Sequence, residues 1–188
     1  MEEEKNSKQR KFPWHIVGPM IAVAGLAYAI YSNQSNKKYS EITFQELSTT
    51  SVIEINERLP ELKIMYKEKD LLSTDEEINI NEYRIENTGT INIKQGDYEP
   101  NTNWGIEFNN CRLLIEPEIK AASADYVGDN FKKLITDSLG RILFPKSLFD
   151  SRDYVDIKLL TIKKRAENSE MKLFGKISGI NNWKYRKN

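Results

Sequence analysis

Cysteine and histidine are almost missing from this 188-residue chain, which has one of each, Cys111 and His15. With one cysteine no internal disulfide can form, and a four-ligand zinc site needs more Cys and His than the chain owns. A nucleophilic thiol usually draws on a neighbouring histidine, and the only histidine lies in an apolar N-terminal stretch, where an interfacial position explains it better than catalysis. Cys111 stands between Asn110 and Arg112 and leads into Leu113, Leu114 and Ile115, so it reads as a small strand residue.

An excess of either charge is also lacking, because 28 Lys and Arg balance 28 Asp and Glu. Nucleic-acid binding relies on counterion release by a basic surface, and no basic face is visible here, so nucleic acid is not an expected partner. The runs Lys163-Lys164-Arg165 and Lys184-Tyr185-Arg186-Lys187 are short and read as a solvated turn and a solvated C-terminus. The acidic groups Asp75-Glu76-Glu77 and Glu116-Pro117-Glu118 likewise read as solvated turns. No residue set specifies a reaction, a cofactor or a metal, and the chain is expected not to be an enzyme.

Charge disappears altogether between Phe12 and Tyr31. A helix from Trp14 to Tyr31, rising about 1.5 Å per residue, would extend about 27 Å, close to the thickness of a bilayer's hydrocarbon core. Trp14, His15, Tyr28 and Tyr31 fall near its ends, where amphipathic rings favour the headgroup level. The stretch closes on Tyr28-Ala29-Ile30-Tyr31 and not on a small-residue cleavage site, so it reads as a retained transmembrane helix and not as a signal peptide. Pro19 lies in its first turn or two, where a missing N–H costs least.

Gly18, Ala22, Gly25 and Ala29 share one face of that helix. They form a small-xxx-small stripe on which two helices can approach and a homo-oligomer can form; the ordinary abundance of Gly and Ala in membrane helices produces the same stripe. Lys5, Lys8, Arg10 and Lys11 precede the span and only Lys37 and Lys38 follow closely. The positive-inside rule therefore favours a single-pass protein of the cell membrane with a cytoplasmic N-terminus, a cytoplasmic C-terminal domain being the open alternative.

The expected organisation is a charged tail over 1–13, the transmembrane helix over 14–31, a polar stalk over 32–40 and one β domain over 41–188. Strands are expected at Leu62–Tyr66, at Ile78–Ile85 with a bulge near Asn81 and Glu82, at Trp104–Phe108, Arg112–Ala121, Tyr154–Ile162 and Lys172–Ile177. Ile91–Ile93 reads as a brief edge segment and Gln95–Asn103 as a loop. Asp129–Leu143 reads as strand, turn and strand around Asp137-Ser138-Leu139-Gly140. Thr43–Ser48 and Val52–Leu59 read as candidate short helical turns, although Val52–Ile55 alternates equally well as a strand, which is preferred there. Short strands separated by turn signals make the fold mainly β, an antiparallel β-sandwich behind one N-terminal helix.

The stretch from Tyr83 to Tyr98, with Asn87-Thr88-Gly89, Ile93 and Asp97-Tyr98, followed by Trp104–Phe108, resembles a family of small bacterial membrane-anchored β-sandwich proteins. Phe149–Leu160 and Lys172–Ile180 are similar to that family's closing pair of strands, although Asp150-Ser151-Arg152-Asp153 stands where an Asn-Pro-Gly turn is usual. The resemblance implies an immunoglobulin-like domain in a membrane context and no settled activity. Its motif residues read as structural: Gly89 as a positive-φ position, Asn87 and Asp97 as partners of their own backbone, and Gly175 as relief of crowding. The expected function is a non-catalytic module that binds a protein partner or a small ligand. The alternative is a membrane effector or regulator of a bacterial stress or phage-defence system, in which the sandwich senses a signal and the anchor oligomerises.

Overall fold

Uncharged sequence from Trp14 onward winds into helix α1, Trp14–Ser35, which carries Pro19 near its start. The helix runs one turn beyond Tyr31, so Ser32–Ser35 are helical. The computed structural model describes residues 14–35, 38–52, 63–132, 134–180 and 183–187, and the chain divides into two units, Met1–Lys37 and Lys38–Asn188. The charged tail and most of Val52–Leu59 therefore lie outside the described residues. Along α1 the side chains described run from Val17 to Asn33, and Met20, Ile21, Val23, Leu26 and Ile30 are exposed. Among the described residues no helix is long and apolar enough to cross a membrane.

The second unit is built from β1 (Ile42–Ser51), β2 (Met65–Tyr66), β3 (Lys69–Asp70), β4 (Glu76–Asn87), β5 (Gly105–Asn109), β6 (Cys111–Leu113) and β7 (Glu118–Ala122). Helix α2 (Asp125–Phe131) follows, then β8 (Ile135–Thr136), β9 (Ile142–Leu143), β10 (Tyr154–Lys164), β11 (Glu170–Phe174) and β12 (Lys184–Arg186). The first sheet runs β12-β1-β4-β10-β6, with β7 also on β10, and the second runs β11-β5-β9-β8. Among the described residues every pairing is antiparallel except β12 on β1, which is parallel. The sheets share one core, with Phe44, Tyr83, Ile85, Val155, Ile157 and Leu159 from the first and Ile106 and Ile142 from the second. Fully burying such a side chain is worth about 1.5–3 kcal/mol, so this shared core dominates the unit's stability. The fold is mainly β, with antiparallel sheets, as the period-two segments require.

Several boundaries differ from expectation for identifiable reasons. Asp129 opens no strand, because Val127 and Phe131 lie one helical turn apart and both are buried, which makes α2 a helix with a core-facing stripe. The turn after it stands as expected, Gly140 adopting φ 78° and its N–H donating to the Asp137 carbonyl at 2.9 Å. Arg112–Ala121 is broken into β6 and β7 around Pro117, which cannot donate a ladder hydrogen bond. Of Leu62–Tyr66, Leu62 lies outside the described residues, Lys63 and Ile64 are not strand, and Met65 and Tyr66 form a hairpin with β3. The basic C-terminal run is exposed, as expected, but Lys184–Arg186 form β12 and Lys184 Nζ lies 2.6 Å from Glu41.

The bulge is on the neighbouring strand. Strand β4 runs unbroken, while the register on β1 shifts between Glu46 and Ser48, so Leu47 is the extra residue opposite Tyr83 and Glu82.

Gly89 corrects the motif reading: its φ is not positive, and a Cβ there would come within 2.6 Å of the Tyr39 carbonyl oxygen and 2.7 Å of the Glu41 nitrogen. Glycine is required at that position by close backbone approach. Positive φ belongs instead to Gly175 (111°) and Gly179 (79°), and a Cβ on Gly175 would meet Trp104 Cβ at 2.4 Å.

Candidate functional site

The inner face of the first sheet changes character along its strands. On β4 Tyr83 and Ile85 carry the core, and the alternation then places Asn81 and Asn79, 7% and 4% exposed, on the same face. On the adjoining β10 Ile157 stands opposite Tyr83, then Leu159 opposite Asn81, Thr161 opposite Asn79 and Lys163 opposite Glu77. A polar inner face is costly unless every group finds a partner.

The partners form a ladder across four strands. Asn81 Nδ2 donates to Thr161 Oγ1 at 2.8 Å. Thr49 Oγ1 lies 3.1 Å from Asn81 Oδ1 and 2.9 Å from Glu46 Oε1, and its single proton serves one of them at a time. The Tyr185 hydroxyl, from β12, donates to Glu46 Oε2 at 2.7 Å. On the other side Asn79 Nδ2 donates to Glu77 Oε1 at 3.0 Å, and Lys163 Nζ lies 3.1 Å from the same oxygen. Burial opposes ionisation of Glu77, but the bonds from Asn79 and Lys163 outweigh it and hold its pKa below the usual carboxylate value.

This ladder floors a cleft of about 520 Å³, with Phe108 of β5 and Met171 of β11 on the facing wall and Asn168, Ser169 and Lys187 on the rim. Tyr83 lines it as well. That residue is 6% exposed, its ring packs 5.1 Å from Phe44 and 6.4 Å from Phe108, and its hydroxyl makes no hydrogen bond among the described residues. Burial, then the nearby Glu46 carboxylate, raises the Tyr83 pKa, so the phenol stays neutral and can both donate and accept. For Tyr185 burial and the bond to Glu46 act in the same direction. Burial pushes the Cys111 thiol up to about 11, leaving little thiolate at neutral pH.

The residues singled out by sequence lie elsewhere in the fold. Asn87, fully buried, accepts from the Gly89 N–H at 3.1 Å and donates to the carbonyls of Ile91 at 3.0 Å and Phe149 at 2.9 Å. Asp97 Oδ2 accepts from the Lys94 N–H at 2.7 Å. Both residues organise backbone. Across Asp150-Ser151-Arg152-Asp153 the Asp153 N–H closes a turn on the Asp150 carbonyl at 2.9 Å while Arg152 adopts φ 72°. Ser123, Tyr126 and the Asp150 N–H all donate to the Asp153 carboxylate.

The acidic clusters engage in surface contacts: Glu76 with Lys69 at 2.8 Å, Glu118 with Lys158 at 3.7 Å, and Glu116 with the Thr136 hydroxyl at 3.2 Å. Gly18, Ala22, Gly25 and Ala29 lie along α1, all exposed. Among the described residues no three His, Cys, Asp or Glu are grouped to hold a metal ion.

No family model matches the chain, and no curated protein or solved structure matches it. The cleft must be interpreted from its own groups. It assembles hydrogen-bonding side chains around apolar walls.

Sequence reasoning missed this site. Asn79, Asn81 and Tyr83 alternate in register with Ile85, and the apparent slip at Asn81 and Glu82 was the signal that the inner face turns polar.

Proposed function

We propose that this protein is a membrane-anchored, non-catalytic β-sandwich module that binds a small ligand or a partner's side chain in the cleft above Asn81. The observation that carries the reading is Tyr83: a hydroxyl on a nearly buried residue, left unpaired on a floor whose other polar groups are satisfied, and opening into a cleft. Unlike the unpaired hydroxyl of Tyr98, which is sealed in the core, the Tyr83 hydroxyl lines a cleft that a ligand can enter. An immunoglobulin-like arrangement of the two sheets belongs to the same reading, supported by their common core and by the resemblance around Asn87.

The membrane anchor is supported by a helix without Asp, Glu, Lys or Arg whose large apolar side chains are exposed on all sides, the pattern of a helix surrounded by lipid. The described side chains alone fall short of a span; the reading adds Trp14, His15 and Ile16, whose side chains lie outside the described residues. The N-terminus is then cytoplasmic and the β unit faces outward. The second reading, an effector or regulator that oligomerises through its anchor, is favoured by Gly18 and Gly25, where an added Cβ would meet nothing within 4 Å and a second helix has room. It requires a cytoplasmic β unit if the signal is intracellular, and protease accessibility on intact cells separates the two.

Ser169→Trp tests the cleft. Ser169 is exposed on the rim, so a bulky ring there should block the cleft while leaving the melting temperature within about 2 °C of wild type, as surface substitutions usually do. Loss of the protein's cellular effect with normal folding supports the reading. An unchanged cellular effect contradicts it.

A further inference from the structure

We infer that the cleft's ligand is an uncharged saccharide; this rests on the cleft being the binding site. The floor offers hydrogen bonding of both signs within a small area: the Tyr83 hydroxyl donates or accepts, the Asn81 amide keeps a second hydrogen beyond the one given to Thr161, and the Glu46 carboxylate keeps lone pairs beyond those serving Thr49 and Tyr185. Sugar hydroxyls, which also donate and accept, are the groups such a mixture reads best. Phe108 and Met171 supply the apolar wall that the C–H face of a sugar ring needs.

The charges argue against an ion. Lys163 is paired with Glu77, and among the remaining lining charges Glu46 and Glu170 offset Lys172 and Lys187, so the cleft presents no net field that would select an anion or a cation. Its volume of about 520 Å³ falls inside the usual range of small-ligand sites, about 300–1,000 Å³, and accommodates a short oligosaccharide.

The test uses the full chain, solubilised in a detergent without a sugar head group, on an array of neutral saccharides that includes maltotriose and the N-acetylglucosamine trimer. Inorganic phosphate, galacturonate and an extended acidic peptide serve as the charged probes. Hits are measured by isothermal titration and by saturation-transfer NMR. The expected result is binding of at least one neutral saccharide that weakens at least fivefold in Tyr83→Phe and in Glu46→Gln, with both variants melting as wild type does. Tyr83→Phe removes a hydroxyl that no other described residue uses, and Glu46→Gln provides a second variant should the first fold poorly.

Binding of only phosphate, galacturonate or peptide, when sensitive to those two substitutions, would overturn the saccharide and leave the cleft as the site. No binding by any probe would also overturn the saccharide, and the Ser169→Trp experiment would then decide separately on the cleft. Saccharide binding that neither substitution weakens would overturn both.

Discussion

The Asn81 side-chain amide donates to the Thr161 hydroxyl at 2.8 Å, joining β4 to β10 by a side-chain bond on the face where a sandwich normally places aliphatic residues. Both residues are buried, and the bond stands between the apolar core at Tyr83 and Ile157 and the charged pair Glu77 and Lys163 at the strand ends.

Asn81→Ala should therefore destabilise the β unit by about 1–3 kcal/mol, because the buried Thr161 hydroxyl loses its partner, whereas Thr49 keeps Glu46. Urea unfolding measures this. Asn81→Leu should cost as much or more, since it places an apolar side chain on a wet floor while leaving the Thr161 hydroxyl unpaired.

Gly175→Ala should be among the most damaging small substitutions. At φ 111° any side chain is strained, and the new Cβ would overlap Trp104 Cβ at 2.4 Å. A loss of about 1–3 kcal/mol is expected from the conformation alone, with the overlap adding to it. Gly140→Ala provides the comparison: its φ is 78° but a Cβ meets nothing within 4 Å, so it should cost less, and thermal melts of the two variants should rank in that order.

The stability of the β unit should fall as pH rises from about 9 to about 11. The folded Cys111 thiol keeps its proton up to about 11, above its ordinary value of 9.0, because burial disfavours the thiolate. Below pH 9 folded and unfolded thiols are both protonated, and the stability is fully present. Between the two values only the unfolded chain loses the proton, so unfolding is favoured progressively. Cys111→Ala should flatten that part of the pH profile in denaturant melts, and alkylation of wild-type Cys111 at pH 8 should be slow until the protein is unfolded.

In the membrane, Gly25→Leu should weaken self-association of α1 by about 1 kcal/mol, since a branched side chain would hold the backbones apart, whereas Val23→Leu on another face should leave it unchanged. A transmembrane association reporter makes the comparison. An equal response to both substitutions would remove the small-residue face as an interface.

Much of the fold was legible because β4, β5 and β10 alternate or run apolar over a strand's length, and because Asp137-Ser138-Leu139-Gly140 carries its own turn chemistry. Helix α2 escaped notice because its stripe consists of two residues, Val127 and Phe131, too few for a periodic signal. Strand β12 escaped because Lys184-Tyr185-Arg186 has the composition of a solvated end and acquires its structure only by pairing with β1. The cleft was illegible for a related reason. Ile78 and Ile80 looked like core residues and Asn79 and Asn81 like their solvated alternates, but the sheet places the asparagines inward, and only the register on β10 and β1 reveals the partners that make this tolerable.

The most direct measurement of the central claim is the stability and the cellular effect of Tyr83→Phe determined side by side in the full-length protein. The Tyr83 hydroxyl has no partner among the described residues, so the account predicts unfolding within about 0.5 kcal/mol of wild type together with loss of the protein's effect. Wild-type stability with an undiminished effect would contradict the claim that this cleft is where the protein binds.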